Sequence, residues 1–229
     1  KDECEFVASK VKELKFAGNS YNEMAVFYRT NSQSRQVEDA LRNSNINYRV
    51  VGGIKFYDRK EIKDILAYLR LVVNEKDNLA LSRIINVPAR GIGTTTLRKL
   101  ENEAVKNNQS LLETLKEMVA APEEFKHIRI TTKVKSAINH FVSLIEELIL
   151  LKNSGEKPLV LFEKTVNETG YISFLKAAKT YEAEARLENL EELGNAIAQF
   201  ESNNESATMD SFLETITLDR TANDEEDQQ

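Results

Sequence analysis

The chain has 229 residues, of which 41% are hydrophobic and 30% charged, with eight glycines, three prolines and a formal net charge of −6. This composition is typical of a soluble helical protein; the scarcity of turn residues disfavours an all-β fold, and no apolar run approaches the roughly 18–20 residues of a membrane span. A single cysteine, Cys4, excludes an internal disulfide and a cysteine-rich metal site, and we expect a cytoplasmic protein.

The first 52 residues alternate between helical and strand-like patterns. Hydrophobic residues over 6–14 recur at helical spacing, and the apolar run 24–28, bounded by turn residues, is typical of a buried strand. A predicted helix over 32–43 and a second predicted strand over 48–51 complete a β-α-β unit. Such a unit belongs to an α/β layer and needs more sheet than this sequence contains.

After Gly52 and Gly53 the pattern is helical throughout. Asp58 and Glu61 have the spacing of a capping box, and apolar residues at helical spacing follow them. Further helices are predicted at 78–86, 94–107, 110–119, 130–152, 158–167, 171–178, 181–201 and 208–218.

The predicted fold is therefore mainly α. Residues 1–52 form a short β-α-β piece of an α/β domain, and residues 53–229 form an all-helical unit. From about residue 221 the sequence predicts an acidic linker or disordered tail.

Two basic islands lie on this acidic chain. Residues 79–100 contain four cations and no acid, and so do residues 126–144. The cations are Arg83, Arg90, Arg98 and Lys99 in the first island and Lys126, Arg129, Lys133 and Lys135 in the second. Such islands indicate either local contacts with phosphates or solvated helix faces, and charge alone does not decide between them.

Arg29 and Asn31 directly follow the first predicted strand. Ligands of α/β sheets bind at the carboxyl ends of strands, and a guanidinium and an amide both suit phosphate oxygens. The alternative is a surface salt bridge for Arg29 and a helix cap for Asn31.

A glycine-containing turn precedes the helix predicted at 94–107. The candidate residues are Arg90, Gly91, Ile92, Gly93, Thr94 and Thr96. Two glycines let backbone N–H groups at the positive end of a helix approach a phosphate, while the aliphatic residue between them anchors the turn in the core. The pattern resembles the hairpin of helix-hairpin-helix DNA binders, although an ordinary helix–helix turn would look the same.

Gly52 and Gly53 lie where the two patterns meet and indicate a hinge. Phe56 and Tyr57 could stack on bases or pack in the core. The sequence contains no Gly-x-x-x-x-Gly-Lys-Ser/Thr loop, and neither of its two histidines has a partner at metal-ligand or triad spacing. We therefore predict no catalytic residue and no metal site.

Together these segments resemble the PcrA/UvrD-type superfamily 1 DNA helicases, and among them the PcrA proteins of Gram-positive bacteria. The likeness is carried by residues 25–35, by 48–70 and by 83–93, the last containing the Gly-Ile-Gly turn. Order and spacing agree over about 20–105, and a looser likeness continues to 186–190.

The resemblance implies that residues 1–52 belong to the second RecA-like domain (2A) and residues 53–229 to the helical 2B subdomain, with the hinge at Gly52 and Gly53 between them. Members of the family hydrolyse ATP, with Mg²⁺, to move 3′→5′ along one DNA strand in repair and replication. The sequence lacks the ATP-binding segments and an initiator Met, so we expect a piece of a helicase with no cofactor of its own and no ATPase activity.

The resemblance also assigns DNA contacts, which are independent of base sequence. Arg29 and Asn31 would contact the backbone of the single strand, and the residues of the Gly-Ile-Gly turn would contact duplex DNA. Ala89 stands where PcrA proteins commonly have a basic residue, so the grip on the duplex would be weaker or shifted. The remaining helicase domains are expected partners, and a membrane is not.

Two functions remain open at this point. The first is a duplex-binding and regulatory part of a helicase, favoured by the turn and the basic islands. The second is a helical module that docks repair or transcription proteins, favoured by the acidic stretch 182–192.

Overall fold

The computed structural model describes residues 2–224, and in that range the chain forms α-helices and single-turn 3-10 helices without a β-strand. The α-helices are α1 (Asp2–Phe16), α2 (Ser34–Asn43), α3 (Lys60–Val73), α4 (Asn78–Ile84), α5 (Thr94–Lys106), α6 (Leu111–Ala120), α7 (Thr132–Asn153), α8 (Pro158–Glu168), α9 (Tyr171–Ala178), α10 (Tyr181–Asn203) and α11 (Met209–Asp224). The 3-10 helices are Tyr21–Glu23, Asn31–Gln33 and Phe56–Asp58. The mainly helical fold predicted from the sequence is confirmed.

The predicted N-terminal β-α-β unit is not formed in the described residues. Helices α1 and α2 pack on each other around a small hydrophobic core. The segments 24–28 and 48–51 have no regular structure, and Phe27 and Val51 are 92% and 82% exposed. A strand needs a neighbour that pairs with its backbone N–H and C=O groups, and the described residues offer neither segment one.

The helical part is built around α3. Its side chains are buried on most sides, and it packs against α4, α7, α8, α10 and α11. Tyr68 of α3 has no exposed surface and lies near the ring of Phe141 on α7. No helix among the described residues combines the length and apolar character needed to cross a membrane.

Each helix predicted after Gly53 is present, with bounds close to those expected. The last one continues to Asp224, into the segment predicted as an acidic tail, and residues 225–229 lie outside the described residues. The predicted capping box is wrong, because no side chain caps α3. Asp58 instead forms an ion pair with Lys63 (Oδ1–Nζ 2.8 Å), and Glu61 is buried.

A buried polar joint connects the N-terminal part to the helical part. Arg59 donates to the side chain of Asn189 on α10 at 2.7 Å and to the hydroxyl of Ser34 on α2 at 2.6 Å. Arg35 on α2 donates to Glu192 on α10 at 2.6 Å. The two hydrophobic cores are separate clusters, so charged and polar side chains join them.

Candidate nucleic-acid interface

The turn between α4 and α5, residues 85–93, is held by one side chain. The amide oxygen of Asn86 accepts hydrogen bonds from the backbone N–H of Arg90 at 2.7 Å and of Ile92 at 3.1 Å. Ile92 is 2% exposed, which confirms its predicted place in the core. Gly91 has a φ of 81°, in the left-handed region that favours glycine. The turn is therefore fixed from inside, with its glycines exposed.

Gly93 leaves the start of α5 without a cap. Its φ of −78° is open to any residue, and a Cβ at this position would meet no atom within 4 Å. No side chain caps α5, whereas Ser110 and Thr131 accept hydrogen bonds from the first turns of α6 and α7. The N–H groups in the first turn of α5 therefore remain available to an acceptor from outside.

Threonine hydroxyls surround these N–H groups. Thr94 and Thr95 are exposed, and Thr96 is half-buried. Thr94 and Thr96 are among the predicted contacts, and Thr95, which the sequence did not single out, is exposed beside them. Its exposure follows from its position at the start of α5, which the sequence predicted at residue 94.

Arg90 does not extend from this surface. Its Nη1 donates to the carbonyl oxygens of Ile84 at 3.1 Å and Pro88 at 3.3 Å, and its Nη2 donates to the carbonyl oxygen of Thr169 at 3.4 Å. The guanidinium also lies 5.4 Å from the centre of the Phe141 ring. The sequence predicted Arg90 as a phosphate contact, and in the structure its guanidinium lies among carbonyl oxygens and beside an aromatic ring.

Tyr68 completes the surroundings of Arg90. Its hydroxyl accepts a hydrogen bond from Arg90 Nη2 at 2.7 Å and donates one to the carbonyl oxygen of Val87 at 2.6 Å. Burial raises the pKa of Tyr68 to about 12, and the neighbouring Arg90 acts in the opposite direction. The phenol therefore remains a donor at neutral pH and ties the turn to α3.

The two basic islands meet in the folded chain. Lys99 Nζ on α5 donates to the carbonyl oxygen of Arg129 at 3.3 Å, and the side chains of Arg98, Lys99 and Arg129 are exposed. Arg83 lies apart from this group, since its Nη2 forms an ion pair with the buried Asp64 at 2.7 Å. The distribution of charge along the sequence identified both islands, but it does not show which of their cations lie together on the surface.

Arg29 and Asn31 form a second, separate candidate site. Both are exposed, and Asn31 begins the 3-10 helix Asn31–Gln33. The side-chain oxygen of Gln33 accepts from the backbone N–H of Arg29 at 3.0 Å and of Thr30 at 3.2 Å, which fixes the backbone between them. Among residues 2–224 no hydrogen bond or ion pair connects this site with the turn before α5.

The segment after the predicted hinge packs inward. Phe56 has no exposed surface, and the Tyr57 ring meets it edge-on at 5.1 Å, so Phe56 is a core residue and not a base-stacking platform. Gly52 has a φ of 74°, whereas a Cβ on Gly53 would lie 3.2 Å from Cγ1 of Val50.

Residues 2–224 contain no group of three or more His, Cys, Asp or Glu that could hold a metal ion. His127 instead pairs with Glu103 of α5, with Nε2 and Oε2 3.0 Å apart. The hydrogen bond from His127 lowers the pKa of Glu103 below its ordinary value, and Lys106 acts in the same direction.

Known proteins are similar to this sequence over most of its length. The chain matches the family described as UvrD-like helicase C-terminal domain over residues 1–229. It is 39% identical over 217 residues to the "ATP-dependent DNA helicase PcrA" of Bacillus subtilis, covering 94% of this chain and 28% of that protein. Proteins of the same name from Staphylococcus epidermidis and Staphylococcus aureus are 37% identical over 220 residues, covering 95% of this chain and 29% of each relative. The chain thus spans less than a third of the length of these curated relatives.

Proposed function

The chain belongs to the UvrD-like helicase C-terminal domain family, and we propose that it is the DNA-binding and regulatory portion of an ATP-dependent 3′→5′ DNA helicase acting in repair and replication. Its own task in this proposal is to hold the backbone of the duplex through the start of α5. The relatives named as ATP-dependent DNA helicases support this assignment.

The observation that carries the proposal is the uncapped start of α5. Gly93 places no side chain over the first-turn N–H groups, and the exposed Thr94 and Thr95 add hydroxyl donors beside them. Because Gly91 and Gly93 have no side chains, a phosphate can come within hydrogen-bond distance of the backbone N–H groups. Contacts of this kind carry no information about base sequence, as a translocating helicase requires.

Arg90 has a positioning role in this proposal. Its guanidinium fixes the carbonyl oxygens at the end of α4, while the phosphate contacts fall to Gly91, Gly93, Thr94 and Thr96 with their backbone N–H groups. Ile92 contributes by anchoring the turn in the core.

Arg29 and Asn31 are proposed to contact the backbone of the single strand. Their exposure and the fixed backbone around them support this role. The exposed Phe27 and Val51, on either side of α2, support an adjacent packing surface for the remaining helicase domains.

ATP and its Mg²⁺ would bind elsewhere in the helicase. This chain has no Gly-x-x-x-x-Gly-Lys-Ser/Thr loop to hold the phosphates, so its residues do not fit the nucleotide. We expect the purified chain to release no phosphate from ATP, with or without DNA. Turnover that co-purifies with the chain through successive columns would contradict this expectation.

The alternative is a docking module for repair or transcription proteins, which the acidic stretch 182–192 favours. Within it Glu192 is buried and accepts from Arg35, whereas Glu182 accepts from Arg186 on the same helix and stays exposed. An acidic surface on α10 therefore supports this alternative, while the uncapped start of α5 favours duplex binding.

Duplex binding measured over a range of salt concentrations tests the proposal. Phosphate contacts release counterions, so the affinity should fall steeply with salt, by a logarithmic slope of roughly 0.9 per phosphate neutralised. Duplexes of unrelated sequence should give the same slope. Duplex affinity that is absent, or insensitive to salt, would contradict the proposed function.

A further inference from the structure

The loop between α6 and α7, residues 121–131, presents one cation in a fixed direction. Arg129 is exposed, while its neighbour Ile128 is 5% exposed and Ile130 packs against the main core. Ile128 and Ile130 thus anchor the backbone of the loop in the core, and the Arg129 side chain between them faces solvent.

Two contacts fasten this loop along α5. Lys99 Nζ donates to the carbonyl oxygen of Arg129 at 3.3 Å, and His127 pairs with Glu103 at 3.0 Å. Lys99 and Glu103 are one helical turn apart, so the loop follows α5 over at least that distance. The loop therefore lies beside the same helix whose start forms the proposed duplex contact.

The exposed charge of this surface is positive although the chain carries −6. Arg98, Lys99, Arg129 and Lys133 are all exposed. Of the nearby acids, Glu103 contacts His127 and Lys106, Glu123 pairs with Lys126, Glu101 accepts from Ser82, and Glu124 is exposed. We define these four exposed cations as the basic track.

We propose that Arg129 and Lys133 contact further phosphates of the duplex held by the turn, so that the basic track extends the duplex-binding surface from α5 to α7. This inference rests on the proposed function and assigns a second element to it. The loop is fastened to α5, so the two groups of contacts have a fixed separation.

A fixed separation suits duplex DNA better than a single strand. A duplex is stiff over about 150 base pairs, so its phosphates keep regular positions that two rigid elements can match. Single-strand sites commonly add aromatic platforms for stacked bases. Phe125, which is the loop's phenylalanine, is 6% exposed and provides no such platform.

The test compares two double variants of equal charge change. Arg129→Ala with Lys133→Ala removes two cations of the basic track. Lys152→Ala with Lys157→Ala removes one cation at the other end of α7 and one at the start of α8. Lys152 lies about 28 Å from Lys133 along the axis of α7. Each protein is titrated with one duplex, and with the single strand of the same sequence, over a range of salt concentrations.

The track variant should lower the logarithmic salt slope of duplex binding by roughly two, at about 0.9 per phosphate, while the control variant keeps the parent slope. Arg129→Lys with Lys133→Arg should restore it. Circular dichroism and a thermal melt check each fold; if the alanine variant unfolds, Arg129→Gln with Lys133→Gln replaces it.

A folded track variant with the parent slope overturns the inference while leaving the proposed function intact, provided that the parent still binds duplex with a steep salt dependence. Equal losses of slope in the track and control variants also overturn it, since the effect would then follow net charge. A parent chain with no salt-dependent duplex binding would contradict both proposals.

Discussion

Arg90 Nη2 lies 2.7 Å from the hydroxyl oxygen of Tyr68, a side chain with no exposed surface. A guanidinium in this place faces backbone carbonyl oxygens on one side and the core of the helical part on the other. Arg90 thus contacts the turn from the side that faces the core.

Arg90→Ala should therefore act first on stability. Loss of hydrogen bonds to a charged group should lower the free energy of unfolding by about 1–3 kcal/mol, measured by urea denaturation. Arg90→Lys should recover only part of this, because an ammonium cannot replace the planar guanidinium fork. Duplex affinity should fall with the disturbed turn, while the salt slope changes little. A slope lowered by one unit with unchanged stability would place Arg90 on a phosphate instead.

The hydrogen bond between His127 and Glu103 should make the free energy of unfolding sensitive to acid. The hydrogen bond from His127 lowers the pKa of Glu103 in the folded chain. A lowered pKa gives stability that is present above the ordinary value of 4.5 and is lost as the pH falls through the folded value. Glu103→Gln should therefore be less stable than the parent near pH 6, with a difference that shrinks below pH 4.5.

The measurement is urea denaturation of both proteins across this pH range. Glu205→Gln, at an exposed position, is the charge-matched control. A Glu103→Gln deficit that stays constant from pH 6 to acid would show that the carboxylate charge contributes nothing there.

The helices were predictable because the residues that define each helix lie within its own segment of the sequence. Apolar spacing and breakers define α3 to α11 locally, and Ile92 could be assigned to the core because it lies between two glycines at a turn. The two predicted strands, 24–28 and 48–51, are not formed. A strand needs a neighbouring strand to pair with, and the described residues provide none for either run.

Side-chain roles were harder to predict where the partner is distant in sequence. Asp58 and Glu61 fit a capping box locally, but Glu61 accepts instead from Asn189 at 2.6 Å, 128 residues away. The segment around Arg90 predicts a phosphate contact, whereas in the structure its guanidinium contacts the carbonyl oxygen of Thr169 and the ring of Phe141. Spacing within a segment carries no information about such contacts.

Gly52 and Gly53 are proposed as a hinge, and replacing both with Ala should restrict it. Gly52 has a φ of 74°, which an alanine tolerates poorly, and a Cβ on Gly53 would crowd Val50 at 3.2 Å. The double variant should show slower or narrower motion between fluorophores at Cys4 and at an introduced Glu205→Cys. Gly155→Ala, which also replaces a glycine with a positive φ, is the control. Unchanged distance distributions in the double variant would contradict the hinge at Gly52 and Gly53.

The central claim is that the uncapped N–H groups at the start of α5 bind a phosphate of the duplex, and Gly93→Ser tests it most directly. Gly93 has an ordinary φ of −78° and open space for a side chain, so strain does not confuse the result as it would at Gly91, whose φ is 81°. A serine in this position can cap α5 itself, which should raise stability by a few tenths of a kcal/mol while occupying the N–H groups. The measurement pairs urea denaturation with duplex affinity on the same sample. We predict a protein at least as stable as the parent whose duplex binding is weaker by about 1–3 kcal/mol for every duplex sequence. A stable Gly93→Ser protein that binds duplex as tightly as the parent would contradict the claim and leave the turn a structural corner.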